Sequence, residues 1–298
     1  MNNIVTTHAL TKRYGHLTAV NELTLNIPAK SVFGLLGPNG SGKTTTLGML
    51  LDVINPTSGY YSWFGNNTAK ENRKKIGAIL ETPAFYPYLS AVDNLRIIAE
   101  IKSIDKKQID DVLKITGLYD RRFSAFGTYS LGMKQRLSLA SVLLGDPPVM
   151  ILDEPTNGLD PQGIAETRGL IRKIAAQGKT IILASHLLDE VQKVCSHFGV
   201  LNKGKLVYTG LVNEKGYEEI QLEITTDDPV SLLQLLKSYP HCINIEMINE
   251  KVIITLPGQT RVEDVSRFIF ENNMIITHLV TLKKSLESQF LEILNQKI

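Results

Sequence analysis

The sequence predicts an α/β domain built on a parallel sheet, followed by a small α+β domain. Three observations carry this. Residues 31–36, 149–152 and 180–184 are apolar runs without polar alternation, as expected of strands covered on both faces. Each run leads into a polar or Gly-rich turn, and a helical pattern follows the first and last. Beyond residue 219 the pattern changes to period 2: Ile220, Leu222 and Ile224, then Ile243, Ile245 and Met247, then Val252, Ile254 and Leu256. That alternation marks half-buried strands.

In chain order, the first apolar run meets Gly37-Pro38-Asn39-Gly40-Ser41-Gly42-Lys43-Thr44, and a helical run opens with Thr45. This is a phosphate-binding loop in its required strand–helix context. Its glycines let backbone N–H groups turn around phosphate oxygens, and the helix adds its positive N-terminus. Lys43 supplies charge to the β/γ-phosphates, and the Thr44 hydroxyl suits Mg²⁺. The aromatic residues Trp63, Phe64, Phe85 and Tyr86 are expected in the core, the last two alternatively lining a groove. Residues 82–145 read as a helical insertion, with helices over 91–102 and 106–116. The second apolar run ends in Asp153-Glu154. Carboxylates at a buried strand end need a cation. Asp153 would hold Mg²⁺, and Glu154 would polarise or deprotonate an attacking water.

The polar segment 211–219 closes the first domain near residue 215. The rest, 219–298, reads as a βαββαβ-like domain. One helix follows Asp228, a second starts at Thr260 with Glu263 three residues on, and a last one carries Leu286, Phe290, Ile293 and Leu294 on one face.

Composition narrows the function. The formal net charge of +2 gives no case for a nucleic-acid partner. Two scattered cysteines, Cys195 and Cys242, form neither a disulfide framework nor a zinc site, and both read as buried, inert thiols in a reducing compartment. No apolar run reaches the roughly 18 residues of a membrane helix, and the start lacks a signal-type apolar core, so a cytoplasmic chain is expected.

Together these motifs resemble the ATP-binding subunits of ABC transporters over about residues 2–215. Tyr14 sits where that family stacks an aromatic ring on adenine. Tyr129-Ser130-Leu131-Gly132-Met133 is similar to the signature motif LSGGQ: Tyr129, Leu131 and Met133 depart from it, while Ser130 and Gly132 are kept. Asp160 falls in a segment resembling the D-loop, and His186 follows the third strand like the switch histidine. The family usually has glutamine where this chain has Glu81. Glu81 would add negative charge near Asp153 and Glu154 and strengthen Mg²⁺ binding. Glutamate there, with residues 130–136, resembles the subgroup exporting bacitracin-like or lantibiotic peptides.

The resemblance implies a P-loop NTPase of ABC type with a helical subdomain. It implies ATP and Mg²⁺ as ligands, a dimer with ATP between the phosphate loop of one subunit and the signature of the other, and a separate permease that this chain serves from the cytoplasmic face. An ABC-type ATPase in a regulatory or non-export role is the alternative. A small-molecule kinase would leave residues 130–136 and Asp160 unexplained. A ribosome-associated ABC protein would carry two cassettes, and a DNA-repair ABC ATPase would carry long coiled coils.

Overall fold

The computed structural model describes residues 2–65, 72–80, 85–212 and 219–282. Contacts divide the chain into two units, the first reaching Val212 and the second containing residues 219–282.

The centre of the first unit is a six-stranded sheet. It contains β3 (Val32–Leu36), β5 (Ile76–Ile79), β6 (Val149–Asp153), β7 (Thr180–Ser185), β8 (His197–Asn202) and β9 (Lys205–Leu211), in the order β5-β6-β7-β3-β8-β9. All neighbours run parallel except the β8–β9 hairpin. Every residue of β3, β6 and β7 is buried, which is why those segments carry no polar alternation. A second, antiparallel sheet of β1 (Asn3–Tyr14), β2 (Leu17–Pro28) and β4 (Ser58–Trp63) adds a further layer. One core joins the two sheets to helix α1 (Lys43–Leu50), bringing Leu23, Leu25 and Ile27 against Phe33, Ile151, Leu47 and Met49.

This antiparallel sheet is absent from the sequence reading, and the backbone shows why. The β1–β2 register shifts repeatedly between Asn3 and Arg13. Ala9 and Glu22 take left-handed φ of 46° and 50°. Such irregularities reset the period-2 signal that identifies a strand. Thr7 is nonetheless fully buried, its hydroxyl donating to the Leu23 carbonyl at 2.9 Å.

The insertion is helical among its described residues. It contains α2 (Ala91–Lys102), α3 (Gln108–Ile115) and α4 (Leu131–Leu143), with two short 3₁₀ turns. Ser90 caps α2 by accepting from the Asp93 N–H at 3.1 Å. Ala91, Leu95 and Ala99 form the buried stripe of α2, and Ile109, Val112 and Leu113 that of α3. Trp63 is buried, with Phe64 packed against the same core. Tyr86 departs from the core expectation at 48% exposed. Two further helices, α5 (Pro161–Ala175) and α6 (Leu188–Val194), follow in this unit. None of the described helices is long and apolar enough to cross a membrane.

The second unit runs β10 (Glu219–Thr226), α7 (Pro229–Lys237), β11 (Asn244–Ile248), β12 (Lys251–Pro257), α8 (Val262–Glu271) and β13 (Ile276–Leu282). Its sheet is antiparallel in the order β11-β12-β10-β13, the arrangement of a split βαβ sandwich. Leu222, Ile224, Val252, Ile254 and Leu256 are fully buried with Leu232 and Leu236 of α7 and Val265 and Ile269 of α8. Asp228 caps α7, accepting from the Ser231 N–H at 3.1 Å.

Three expectations shift here. β11 is an edge strand on which Met247 is 45% exposed and only Ile245 is half-buried, so alternation did not guarantee a covered face. Thr260 does not cap α8; Arg261 holds the cap position without a side-chain bond. Cys242 is half-buried rather than buried. Leu286, Phe290, Ile293 and Leu294 lie outside the described residues.

Candidate functional site

The loop from β3 to α1 is shaped by contacts that only glycine permits. A Cβ on Gly37 would lie 2.4 Å from the Leu201 carbonyl oxygen, and one on Gly42 would lie 2.5 Å from that of Ala19. Gly42 also caps α1 with a left-handed φ of 105°. Lys43 opens the helix and is 5% exposed. Its ammonium donates to the carbonyls of Gly37 at 2.8 Å and Pro38 at 3.3 Å. The next residue, Thr44, donates its hydroxyl to Asp153 Oδ2 at 2.7 Å.

Sheet order explains why the acids meet this loop. β7 lies between β3 and β6, with Leu36 opposite Ser185 and Asp153 opposite Ala184. The residues following these three strands therefore emerge side by side at one sheet edge, the usual ligand position in an α/β sheet. Glu154 leaves β6 with a left-handed φ of 47°. A non-glycine residue there costs on the order of 1–3 kcal/mol, which its surroundings must offset. Its N–H continues the ladder to the Ala184 carbonyl at 3.0 Å. Its carboxylate lies 3.5 Å from Lys43 Nζ through Oε1 and 2.8 Å from His186 Nδ1 through Oε2. An ionised carboxylate only accepts, so the imidazole Nδ1–H donates to it.

Lys43, Thr44 and Glu154 line an open cleft of about 530 Å³, whose wall also includes Asn39, Gly40, Thr45, Leu17 and Tyr14. His186 and Asp153 are not on this wall but bond to Glu154 and Thr44, which are. Tyr14 ends β1 as a residue 49% exposed, and Lys12 Nζ sits 4.9 Å from its ring centroid. Gly37, Pro38 and Ser41 shape the loop without lining the cleft. Lys203 stands on the wall and is a residue that sequence reasoning missed. It occupies the β8–β9 turn, which is tied to the loop by Gly204 N–H donating to the Ser41 carbonyl at 3.0 Å. In the sequence, Lys203-Gly204 signals only a turn.

Thr44 and Asp153 present adjacent oxygen donors, the chemistry that Mg²⁺ selects. Among the described residues no group of three His, Cys, Asp or Glu side chains could hold a metal. Two protein oxygens suffice for Mg²⁺ when phosphate and water complete its shell. Glu81 lies outside the described residues.

Ser130, Gly132 and Asp160 converge elsewhere, on a separate cleft of about 430 Å³. Ser130 caps α4, its Oγ accepting from the Met133 N–H at 3.3 Å. Asp160 caps α5 by accepting from the Gly163 N–H at 2.8 Å. A Cβ on Gly132 would meet nothing within 4 Å, so the packing of this chain does not demand a glycine there. The structure thus places Tyr14, Asn39, Gly40, Gly42, Lys43, Thr44, Thr45 and Glu154 on one cleft and Ser130, Gly132 and Asp160 on another.

Comparison with known proteins gives a consistent result. The family model described as ABC transporter matches residues 20–157. The bacitracin transport ATP-binding protein BcrA of Bacillus licheniformis is 37% identical, over 99% of this chain and 98% of that protein. BcrA of Enterococcus faecalis is 35% identical over 97% and 96%. The lantibiotic transport ATP-binding protein SrtF of Streptococcus pyogenes is 39% identical, over 66% of this chain and 86% of its own. Among solved structures, cbiO1 from Clostridium perfringens, described as part of the ABC transporter complex cbiONQ, superposes with a TM-score of 0.64. It is 28% identical, over 72% of this chain and 90% of its own.

Proposed function

This chain belongs to the ATP-binding proteins of ABC transporters, a family of ATPases, and we propose that its first cleft seats MgATP while its second receives the ATP held by a partner subunit. The observation that carries this reading is the convergence of Lys43, Glu154 and His186 at one sheet edge.

The tyrosine ring of Tyr14 offers its exposed face to the adenine. Asn39, Gly40 and the N–H groups opening α1 wrap the phosphates, and Lys43 exchanges its loop carbonyls and Glu154 for the β/γ-phosphate oxygens. Lys203 adds a second cation at the rim. Thr44 and Asp153 hold Mg²⁺, which neutralises phosphate charge when bound. β5 pairs in parallel with β6, Ile79 opposite Leu152, two residues before Glu81; this register supports Glu81 as a further carboxylate at the metal. Glu154 accepts the proton of the attacking water as it adds to the γ-phosphorus and ADP leaves. His186 orients that carboxylate through Nδ1–H and contacts the γ-phosphate.

Ser130 and Gly132 offer a hydroxyl and open backbone to a second nucleotide, with Asp160 beside them, so two subunits complete two sites. ATP closes this dimer and hydrolysis reopens it. The helical insertion, with Tyr86 and Tyr88 exposed on it, transmits the motion to a permease on a separate chain, placing the protein at the cytoplasmic face of the membrane. The cargo class is peptide antibiotic. Its support is that the bacitracin-transport relatives match 97% and 99% of the chain, a span that takes in the second unit, and that SrtF adds a lantibiotic transporter.

The test is Glu154→Gln in the full chain. ATP binding is retained, and hydrolysis slows by about 10²-fold or more, the scale of a lost general base. Near-normal turnover would sink the role given to Glu154.

A further inference from the structure

Behind the Glu154–His186 pair lies a buried acid with no part in the mechanism above. Glu190 sits in the first turn of α6 and is 1% exposed. It accepts hydrogen bonds from two hydroxyls, Thr156 Oγ1 at its Oε1 and Ser185 Oγ, 2.9 Å away, at its Oε2. No ion pair to Glu190 occurs among the described residues. A buried carboxylate held only by hydroxyls loses much hydration, so its hydrogen-bond partners are tightly determined.

The placement of those partners matters more than their number. Thr156 lies two residues after Glu154, and Ser185 directly precedes His186. Both are buried, at 3% and 0% exposed. Ser185 Oγ also accepts the Leu187 N–H at 3.0 Å, which bends the chain around His186. Thus one carboxylate ties together the segments that leave β6 and β7. In front of this tie, Glu154 meets His186 at 2.8 Å. Glu154 also holds the strained left-handed φ of 47°, a conformation that persists only where neighbours over-determine it.

We propose that Glu190 is a positioning residue for ATP hydrolysis: its bridge from Thr156 to Ser185 holds the strained Glu154 carboxylate and the His186 ring in register. The nucleotide itself is gripped from the other side, by the loop at 37–45, so the bridge acts on turnover rather than on binding. The proposal rests on the role given to Glu154.

The experiment uses the full chain and measures steady-state turnover, ATP affinity by fluorescent-nucleotide titration, and thermal unfolding. Glu190→Met keeps volume but removes both acceptors. It should lower kcat by about 10- to 100-fold, as expected for a small misplacement of reacting groups, with ATP affinity within about twofold. Glu190→Gln, which retains one acceptor oxygen, should fall between Met and wild type. Should Glu190→Met fail to fold, the double variant Thr156→Val with Ser185→Ala removes the bridge from the donor side and should give the same split. In a Glu154→Gln, His186→Ala background, where both positioned groups are already gone, Glu190→Gln should produce no further loss. Wild-type kcat in a folded Glu190→Met, an equal loss of ATP affinity, or a multiplied loss in the Glu154→Gln, His186→Ala background would each overturn the proposal. Normal turnover by Glu154→Gln alone would instead remove the reading beneath it, so the two failures are distinguishable.

Discussion

The two sheets flanking residue 212 use their residues in opposite ways. In the first unit, β3, β6 and β7 are buried along their whole length, so their chemistry is confined to their C-terminal ends and the residues just past them: Gly37, Asp153, Glu154 and His186. In the second unit, β10 and β12 bury the apolar residues Leu222, Ile224, Val252 and Ile254 on one face. Polar residues run along the other, where Lys251 pairs with Glu223 at 2.7 Å, an exposed contact of little energetic weight. Full burial concentrates reactive groups at one edge; half burial spreads polar groups thinly. ATP chemistry should therefore depend on the first unit and be insensitive to the core of the second.

The largest effect expected is at Lys43. Lys43→Ala removes the buried cation of the cleft and should weaken ATP binding by about 100-fold or more, close to 3 kcal/mol. Nucleotide titration checks this, and an unchanged affinity would place phosphate recognition elsewhere. In the second unit, Ile254→Ala empties part of a fully buried core and should cost about 2–5 kcal/mol of that unit's stability. Its ATP affinity should match wild type; loss of ATP binding in the folded protein would erase the contrast between the units. A subtler change is expected from Glu81→Gln, namely a higher Mg²⁺ requirement with ATP affinity preserved. Superimposable curves of ATPase activity against Mg²⁺ concentration would exclude Glu81 from the metal site.

The smallest effect concerns the thiols. Burial, with the charge of Glu190 nearby, pushes the Cys195 thiol well above its usual range. Burial also raises Cys242, which is only half-buried. The thiolate is the reactive form, so a raised pKa suppresses reaction until the pH climbs towards it. A maleimide at pH 8 should modify Cys242 first and reach Cys195 on unfolding. Early labelling of Cys195 would show that the first unit opens more readily than the second.

The same physics decides how much of the molecule was legible in the sequence. Uninterrupted apolar runs identified β3, β6 and β7 because a strand covered twice keeps its polar residues at its ends, as Asp153, Thr180 and Ser185 show. The spacing of Gly37, Gly42, Lys43 and Thr44 identified the loop because close backbone approach leaves no room for a Cβ. The antiparallel β1–β2–β4 layer escaped because its register shifts at Ala9 and Glu22 break the alternation. Met247 misled because alternation reports a pattern, not whether anything covers an edge strand. Lys203 escaped because its nearness to the cleft depends on the Gly204–Ser41 hydrogen bond between segments far apart in sequence. Glu190 left a faint signal: it shares the helical face of Val191 and Val194, both buried, and an acid on an apolar stripe needs a reason.

The most direct test of the composite-site account is the assembly state of Glu154→Gln in the presence of MgATP, with and without Ser130→Arg, measured by sedimentation velocity. The account predicts an ATP-dependent dimer for Glu154→Gln. It predicts a monomer once Ser130→Arg fills the second cleft with a bulky cation, with ATP affinity of the monomer within about twofold. An ATP-dependent dimer that survives Ser130→Arg would contradict the claim that the two clefts complete one another's sites.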